Sequence, residues 1–523
     1  MNTAWALIIL PAITGLCSLF IDSERLRKNL LIVVAFLHLY MSLQLCNGSA
    51  GELDGIWLGI DHLTRIFLTL TSLLFTGSAV YSMIYLDKHP HADGADLAGW
   101  QFLRNRNAIF VACMQLFLAA MSLAILSMHF GLQWIGIEAT TLASTPLIYY
   151  HRSRRSLEAA WKYMIICSVG IALALMGVFF LAKTTTQHVQ LFTPAGLVLF
   201  AGYLKLGWLK VAFIFFLVGY GTKMGLAPMH TWLPDAHSEA PSPVSAMLSG
   251  ALLNCAFLGI LRIYQVCAAI PATAAFASEL LIIAGLVSMG FSGIFIMHQP
   301  DYKRMLAYSS VEHMGILATG IGLGGSAIAG ALLHAICHSL IKAPMFLLAG
   351  NILSAFNTKK VEEVSGLLKS MPFTGMLWLA GFLAITGTPP FGTFISEFSI
   401  LKAALQTRSW TTASLYLLFL LIVFIGMLTI VMQMTLGRRP DDHVDEHHHR
   451  APAAKEHDQK HGQKHNKHEA ATAASGSVID EDFLQLLTPI VLLFLALILG
   501  FYLPESIRQA VNGGALLLGG AIL

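Results

Sequence analysis

Apolar stretches of about 20 residues recur along the whole chain, each long enough to cross the ~30 Å hydrocarbon core of a bilayer as a helix. A chain patterned this way has little choice of fold. In lipid every backbone N–H and C=O must be satisfied internally, and runs of this length do so as helices. Only 12% of the 523 residues are charged, against about 25% in soluble domains. That deficit excludes a large soluble enzyme, whose surface would need more charge to stay solvated. The net charge of +3 implies no nucleic-acid partner. The seven cysteines form no CxxC pair and sit mostly in apolar runs, which argues against a disulfide framework, an iron–sulfur site or a cysteine zinc site. There is no P-loop, no dinucleotide fingerprint and no nucleophile elbow, so no cofactor is expected.

Fourteen spans are predicted, near 3–20, 29–46, 61–86, 107–127, 130–150, 157–182, 209–234, 242–266, 274–298, 303–323, 326–352, 371–404, 411–436 and 484–503. Residues 506–523 are apolar but short and glycine-rich, and are expected to form a surface tail. The first apolar stretch lacks a basic flank and reads as a span rather than a cleaved signal. Orientation follows from the basic residues. Of 32 Lys and Arg, 21 fall in loops after odd-numbered spans and five after even-numbered ones. This places both termini outside and the loop 437–483 in the cytoplasm.

Two spans look broken. The seventh holds Gly221, Gly225, Pro228 and Pro234; the twelfth holds Gly387-Thr388-Pro389-Pro390-Phe391-Gly392. Proline and glycine weaken the helical ladder, and in lipid the freed carbonyls need a polar or protein-lined partner. Discontinuous helices at corresponding places, five spans apart, point to two internal repeats with a pathway between them. A pair of ordinary proline kinks is the alternative.

Charge inside a bilayer is costly, so intramembrane ionisable groups are functional candidates. Glu138 lies in the fifth span, Lys162 early in the sixth and Lys223 in the broken seventh. His334, His338 and Lys342, at i, i+4 and i+8, form one stripe on the eleventh. Glu397 follows the twelfth-span break. Burial disfavours the charged form of Lys and Glu alike, and a nearby opposite charge restores it. A buried Lys near a Glu is therefore bistable, and imidazoles that both accept and donate suit a proton relay. The competing roles are a structural ion pair for Glu138 and Lys223, and helix packing for His334. His230, Asp235, His237 and Glu239 cluster at the mouth of the seventh-span break, as a proton-access funnel or as a polar turn capping two helices. Tyr308, Ser309, Ser310, Glu312 and His313 add polar lining to the tenth span.

With these residues laid out, the chain resembles the antiporter-like subunits of respiratory complex I and the Mrp cation/proton antiporters. The resemblance rests on Gly221-Thr222-Lys223 through Pro243, on residues 303–310, on the histidine span and on the Gly-Thr-Pro-Pro-Phe-Gly break before Glu397. It covers residues 60–435. Finer features, at 137–142, 156–163 and 252–256, are similar to component F of hydrogenase-4, a subunit of membrane-bound group 4 nickel–iron hydrogenase and formate hydrogenlyase complexes. The resemblance implies an all-α polytopic membrane protein of fourteen transmembrane helices with two inverted five-helix repeats. Residues 1–106 then carry helices 1–3, 107–266 the first repeat, 267–436 the second, 437–483 a cytoplasmic loop and 484–523 the last helix and tail.

It further implies that Glu138 and Lys223 form the family's Glu/Lys pair, that His334 and His338 hold the central positions, and that Glu397 is the terminal acid. Asn254 stands where many complex I subunits have lysine, and it cannot carry a proton; water, or His230 and His237, would bridge the gap. Implied partners are further membrane and soluble subunits of a redox complex, with protons, and in one variant Na⁺, as cargo, in a bacterial inner membrane. A Mrp-type Na⁺/H⁺ antiporter, a membrane subunit of an inorganic-carbon uptake system and a non-conducting scaffold are the rivals. The loop 437–483 is rich in histidine, including His447, His448 and His449. Such tracts bind metals, although a solvated linker is the stronger expectation.

Overall fold

The computed structural model describes residues 2–47, 55–88, 105–185, 192–437 and 478–522. The histidine tract with His447, His448 and His449 lies outside the described residues. Within them the chain is helical, with two isolated β-bridges and no strand. We number the principal helices α1 (Asn2–Ser18), α2 (Glu24–Asn47), α3 (His62–Lys88), α4 (Arg106–Leu126), α5 (Phe130–Ile148), α6 (Arg154–Ala182), α7 (Leu206–Met224), α8 (Trp232–Glu239) and α9 (Ser242–Ala268). There follow α10 (Pro271–Ile296), α11 (Tyr302–Leu323), α12 (Ser326–Phe356), α13 (Pro372–Ile385), α14 (Gly392–Gln406), α15 (Trp410–Leu436), α16 (Phe483–Phe501) and α17 (Glu505–Leu517).

A helix, or a broken pair of helices, occupies each of the fourteen expected segments. Among the described residues, ten segments are long and apolar enough to span a bilayer on their own. Two not among those ten, α5 and α11, carry Glu138 and the Glu312–His313 pair; polar side chains lower their hydropathy. The expected tail at 506–523 is a correction. Residues 505–517 form an amphipathic helix, with Val511, Gly514 and Ala515 buried against α3 and α12. Gly513 and Gly514 allow it to seat there, since a Cβ on Gly513 would meet the His62 ring at 2.4 Å.

Helices α9 and α12 are buried all round, and the others pack about them. Two tight crossings shape the molecule. A Cβ on Gly219 of α7 would lie 2.5 Å from the Ala174 backbone of α6, and one on Gly285 of α10 would lie 2.6 Å from the Gly315 carbonyl of α11. Bare glycines let helix backbones approach where lipid supplies no hydrophobic drive. A buried ion pair adds a third tie: Arg262 of α9 grips Asp61, at the start of α3, through both terminal nitrogens and reaches Thr64 at 3.0 Å.

Both sequence breaks are real. Helix α7 ends at Met224 because Gly225 adopts φ +88°, and its amide returns to the Gly221 carbonyl at 2.9 Å. The groups freed by the break find side chains: Trp232 Nε1 donates to the Thr222 carbonyl at 2.8 Å, and Ser288 Oγ accepts from the Ala227 amide at 2.9 Å. At the second break Gly387 takes φ +63°, and the Thr393 hydroxyl donates to the Ala384 carbonyl. Each break contains one cis X–Pro bond, Ala227-Pro228 and Pro389-Pro390.

Candidate functional site

Lys223 sits in the last turn of α7, where the carbonyl end of the half-helix favours a cation. It is fully buried. Its ammonium donates to Thr141 Oγ1 at 2.7 Å and to Tyr163 Oη at 2.6 Å, and lies 4.6 Å from the centre of the Tyr163 ring. The Gly170/Gly219 crossing brings α6 and α7 close enough for that reach. Glu138, one turn before Thr141 on α5, accepts from Ser168 Oγ at 2.8 Å and from Thr141 Oγ1 at 3.5 Å. Glu138 and Lys223 therefore belong to one cluster but do not touch: the Thr141 hydroxyl stands between them. Tyr163 passes the network on to Ser144 at 2.6 Å.

The second cluster fills the space between α9, α11, α12 and α14. His334 and His338 are buried, as the stripe on α12 requires. His313 of α11 joins them: its Nδ1 lies 2.8 Å from His334 Nε2, and its ring centre 4.9 Å from that of His338. His334 Nδ1 lies 2.9 Å from Ser396 Oγ, the neighbour of Glu397. Lys342 donates to the Leu306 carbonyl at 2.8 Å and to Ser309 Oγ. Glu312 is buried within electrostatic reach of both Lys342 and Glu397. The Glu397 carboxylate packs on the bare Cα of Gly387, where a Cβ would come within 2.0 Å of Oε2. The second break thus makes room for the acid that follows it.

A π-helical turn, Leu248–Leu252, interrupts α9 beside this cluster. Such bulges redirect carbonyls out of the helical ladder. Here the Gly250 carbonyl accepts from Asn254 Nδ2 at 3.0 Å and from Ser339 Oγ at 2.7 Å, and the Ser249 carbonyl lies 3.4 Å from His338 Nε2. Asn254 also donates to Ser339 Oγ at 2.7 Å. It links α9 to the histidine helix at the position where the resemblance would have placed a lysine. Its neighbour Cys255 lies within electrostatic reach of Lys223.

The structure separates the remaining candidates. Lys162 is not buried beside Lys223; it is half exposed at the rim, paired with Glu158 at 2.6 Å and Asp235 at 3.1 Å. Being at the foot of α6, it reaches water and the acids there. Asp235 also meets Arg304, and Glu239 pairs with Lys359 at 2.9 Å, so both acids strap α8 to its neighbours. His237 turns the other way: it is buried, stacks on Phe346 at 4.7 Å, and has Lys303 and Lys342 as electrostatic neighbours. His230 is buried among Phe291, Phe295 and Tyr308. The four do not form one funnel. Conversely Thr141 and Tyr163 belong to the first cluster without having been singled out, although each stood in a stretch noticed for its resemblance, and His313, expected only as polar lining, belongs to the second.

Among the described residues one trio has the donor set for a metal ion: atoms of His313, His334 and Glu397 lie within 4.8 Å of one another. Two of those donors are occupied by each other in the 2.8 Å imidazole contact. As it stands His313 and His334 bond to each other, His334 bonds on to Ser396, and Glu397 lies close by.

Comparison with known proteins matches this arrangement to one group. Residues 127–426 match the family described as "NADH:quinone oxidoreductase/Mrp antiporter, TM". The hydrogenase-4 component F homolog of Methylacidiphilum infernorum (isolate V4) is 37% identical over 445 residues, 84% of this chain and 91% of that one. Hydrogenase-4 component B of Escherichia coli (strain K12) is 30% identical over 66% of this chain and 51% of its own length. In fold, a chain of the archaeal membrane-bound sulfane sulfur reductase superposes with a TM-score of 0.80 at 19% identity, over 99% of this chain and 98% of that one. A chain of the Mrp complex of Dietzia sp. DQ12-45-1b gives 0.78 at 20%, over 98% and 97%.

Proposed function

The chain belongs to the NADH:quinone oxidoreductase/Mrp antiporter transmembrane family, and from that premise we propose that it is a proton-translocating subunit of a multisubunit redox complex of the hydrogenase-4 or formate hydrogenlyase type. One observation carries the reading: two clusters of largely buried titratable side chains, each beside a broken helix, with the Asn254–Ser339 contact tying α9 to α12 between them. A structural ion pair would bring Glu138 and Lys223 into direct contact. Here an intervening hydroxyl leaves Lys223 loosely countered, so moving Glu138 changes how well its charge is stabilised. Lys223 then releases a proton when the countercharge withdraws and recovers one when it returns.

In the second cluster the proton route runs over Lys342, His338, His313 and His334, ending by Ser396 at Glu397. His237, near Lys342, supplies access from the side rich in basic residues. Asn254 holds no transferable proton, so water carries the proton between Lys223 and His338. Lys162, Asp235 and Glu239 act at the rim. The repeat organisation, 107–266 against 267–436, gives each cluster its own broken helix.

The hydrogenase-4 assignment is supported by the component F homolog, which matches along nearly its whole length. Partner subunits are supported by Glu138 itself. It is half-buried, and Ile135 and Leu142 on the same helix face are exposed. A carboxylate facing hydrocarbon is costly, so a neighbouring subunit covers that face. Those partners carry the redox chemistry. The bacterial inner membrane, with both termini outside, is the location this reading takes.

Lys223→Ala tests the proposal in the intact complex, reconstituted in vesicles with a pH-sensitive dye. Electron transfer without acidification is the expected result; undiminished proton movement would overturn the relay.

A further inference from the structure

A cavity of about 600 Å³ lies outside both clusters, between α2, α3, α12, α16 and α17. Its size is that of a small-molecule site, and its polarity is graded. Arg65, His62 and Gln509 line one end; Leu70, Leu73 and Leu340 line the other. The polar end lies by the first turn of α3 and under the amphipathic helix α17, where a chain leaves the hydrocarbon for the headgroup layer. From His62 to Leu73 the helix rises about 16 Å at 1.5 Å per residue, close to half of a ~30 Å core. The cavity therefore has the depth of one leaflet.

Charge identifies the occupant. Among the described residues, Arg65 Nε and His62 Nδ1 are buried without hydrogen-bond partners. The neighbouring carboxylate, Asp61, is committed to Arg262. Among the described residues Arg65 thus brings a cation with no paired carboxylate to the mouth of an apolar slot. A guanidinium recognises phosphate through charge-assisted hydrogen bonds, and a headgroup with no ammonium beside its phosphate leaves that negative charge whole for Arg65. We propose that the cavity binds one anionic phospholipid, its phosphate on Arg65 and one acyl chain laid along α3 toward Leu73. Ile336 and Leu340 of the wall belong to α12, the helix that bears His334 and His338, so the lipid also braces the histidine helix from behind.

The test uses the full chain, delipidated in detergent and titrated with phosphatidylglycerol or phosphatidylcholine of matched acyl chains, read by native mass spectrometry. Wild type should retain one phosphatidylglycerol with a preference of about tenfold over phosphatidylcholine, whose ammonium offsets the same phosphate and weakens a contact of that scale. R65Q should lose the preference and R65K keep it, whereas L70W, which fills the slot, should retain neither lipid. Equal retention of the two lipids by wild type, or an undiminished preference in R65Q, would overturn the proposal. The wild-type comparison stands even if a variant fails to fold, and it does not depend on proton transport.

Discussion

Thr141 is the one side chain among the described residues that hydrogen-bonds to both Glu138 and Lys223. Thr141→Val keeps the shape and removes the hydroxyl. A hydrogen bond to a charged group is worth about 1.5–3 kcal/mol, so proton translocation by the assembled complex should fall by roughly tenfold or more, with subunit content unchanged. Wild-type pumping in that variant would mean the hydroxyl is only packing. Glu138, Lys223 and the α12 histidines were legible in the sequence because a charge or imidazole in an apolar run is conspicuous. Thr141 and Tyr163 were not, since hydroxyls are common in spans and harmless there when bonded to a carbonyl. His313 was visible as a polar residue, but its partner on another helix was not. Lys162 shows the converse: its place in the sequence resembles that of a buried lysine, and only the packing shows that it points to the rim.

At the scale of elements, glycine explains more than charge. Gly219 lies one turn before Lys223, and its contact with the α6 backbone sets the distance from Lys223 to Tyr163. Gly219→Val would force these helices apart. Overpacking of this kind costs about 1–3 kcal/mol, so the purified variant should melt at a lower temperature than wild type and translocate less. An unshifted melting temperature would show that the crossing has slack. Both breaks were readable from Pro and Gly, which act on the backbone locally. The π-turn in α9 was not, because no residue type marks it; it follows from what α12 presents to Gly250 and Ser249. Helix α17 was missed for a related reason. Gly513 and Gly514 read as helix breakers in isolation, yet against His62 and Leu63 they are what lets the helix dock.

For the whole molecule, the basic-residue asymmetry predicts a topology that the helix positions alone do not decide. Alkaline phosphatase fused after residue 523 should be active and a fluorescent protein there dark, with the reverse for fusions in the 437–483 loop. Opposite signals would invert the orientation, and with it the side on which His237 opens. The sequence by itself determined the solvent, the place of the long helical segments, the two breaks and the residues too costly to bury without purpose, because hydropathy, proline and charge each act on the chain within a few residues. Only the tertiary structure decided which of those residues meet. It put a hydroxyl between Glu138 and Lys223, drew His313 into the histidine stripe, sent Lys162 to the rim and left Arg65 Nε without a partner among the described residues, over an apolar slot. Each of these depends on distances between helices far apart in sequence, set by side-chain volumes at crossings such as Gly170/Gly219, and no local pattern along the chain records them.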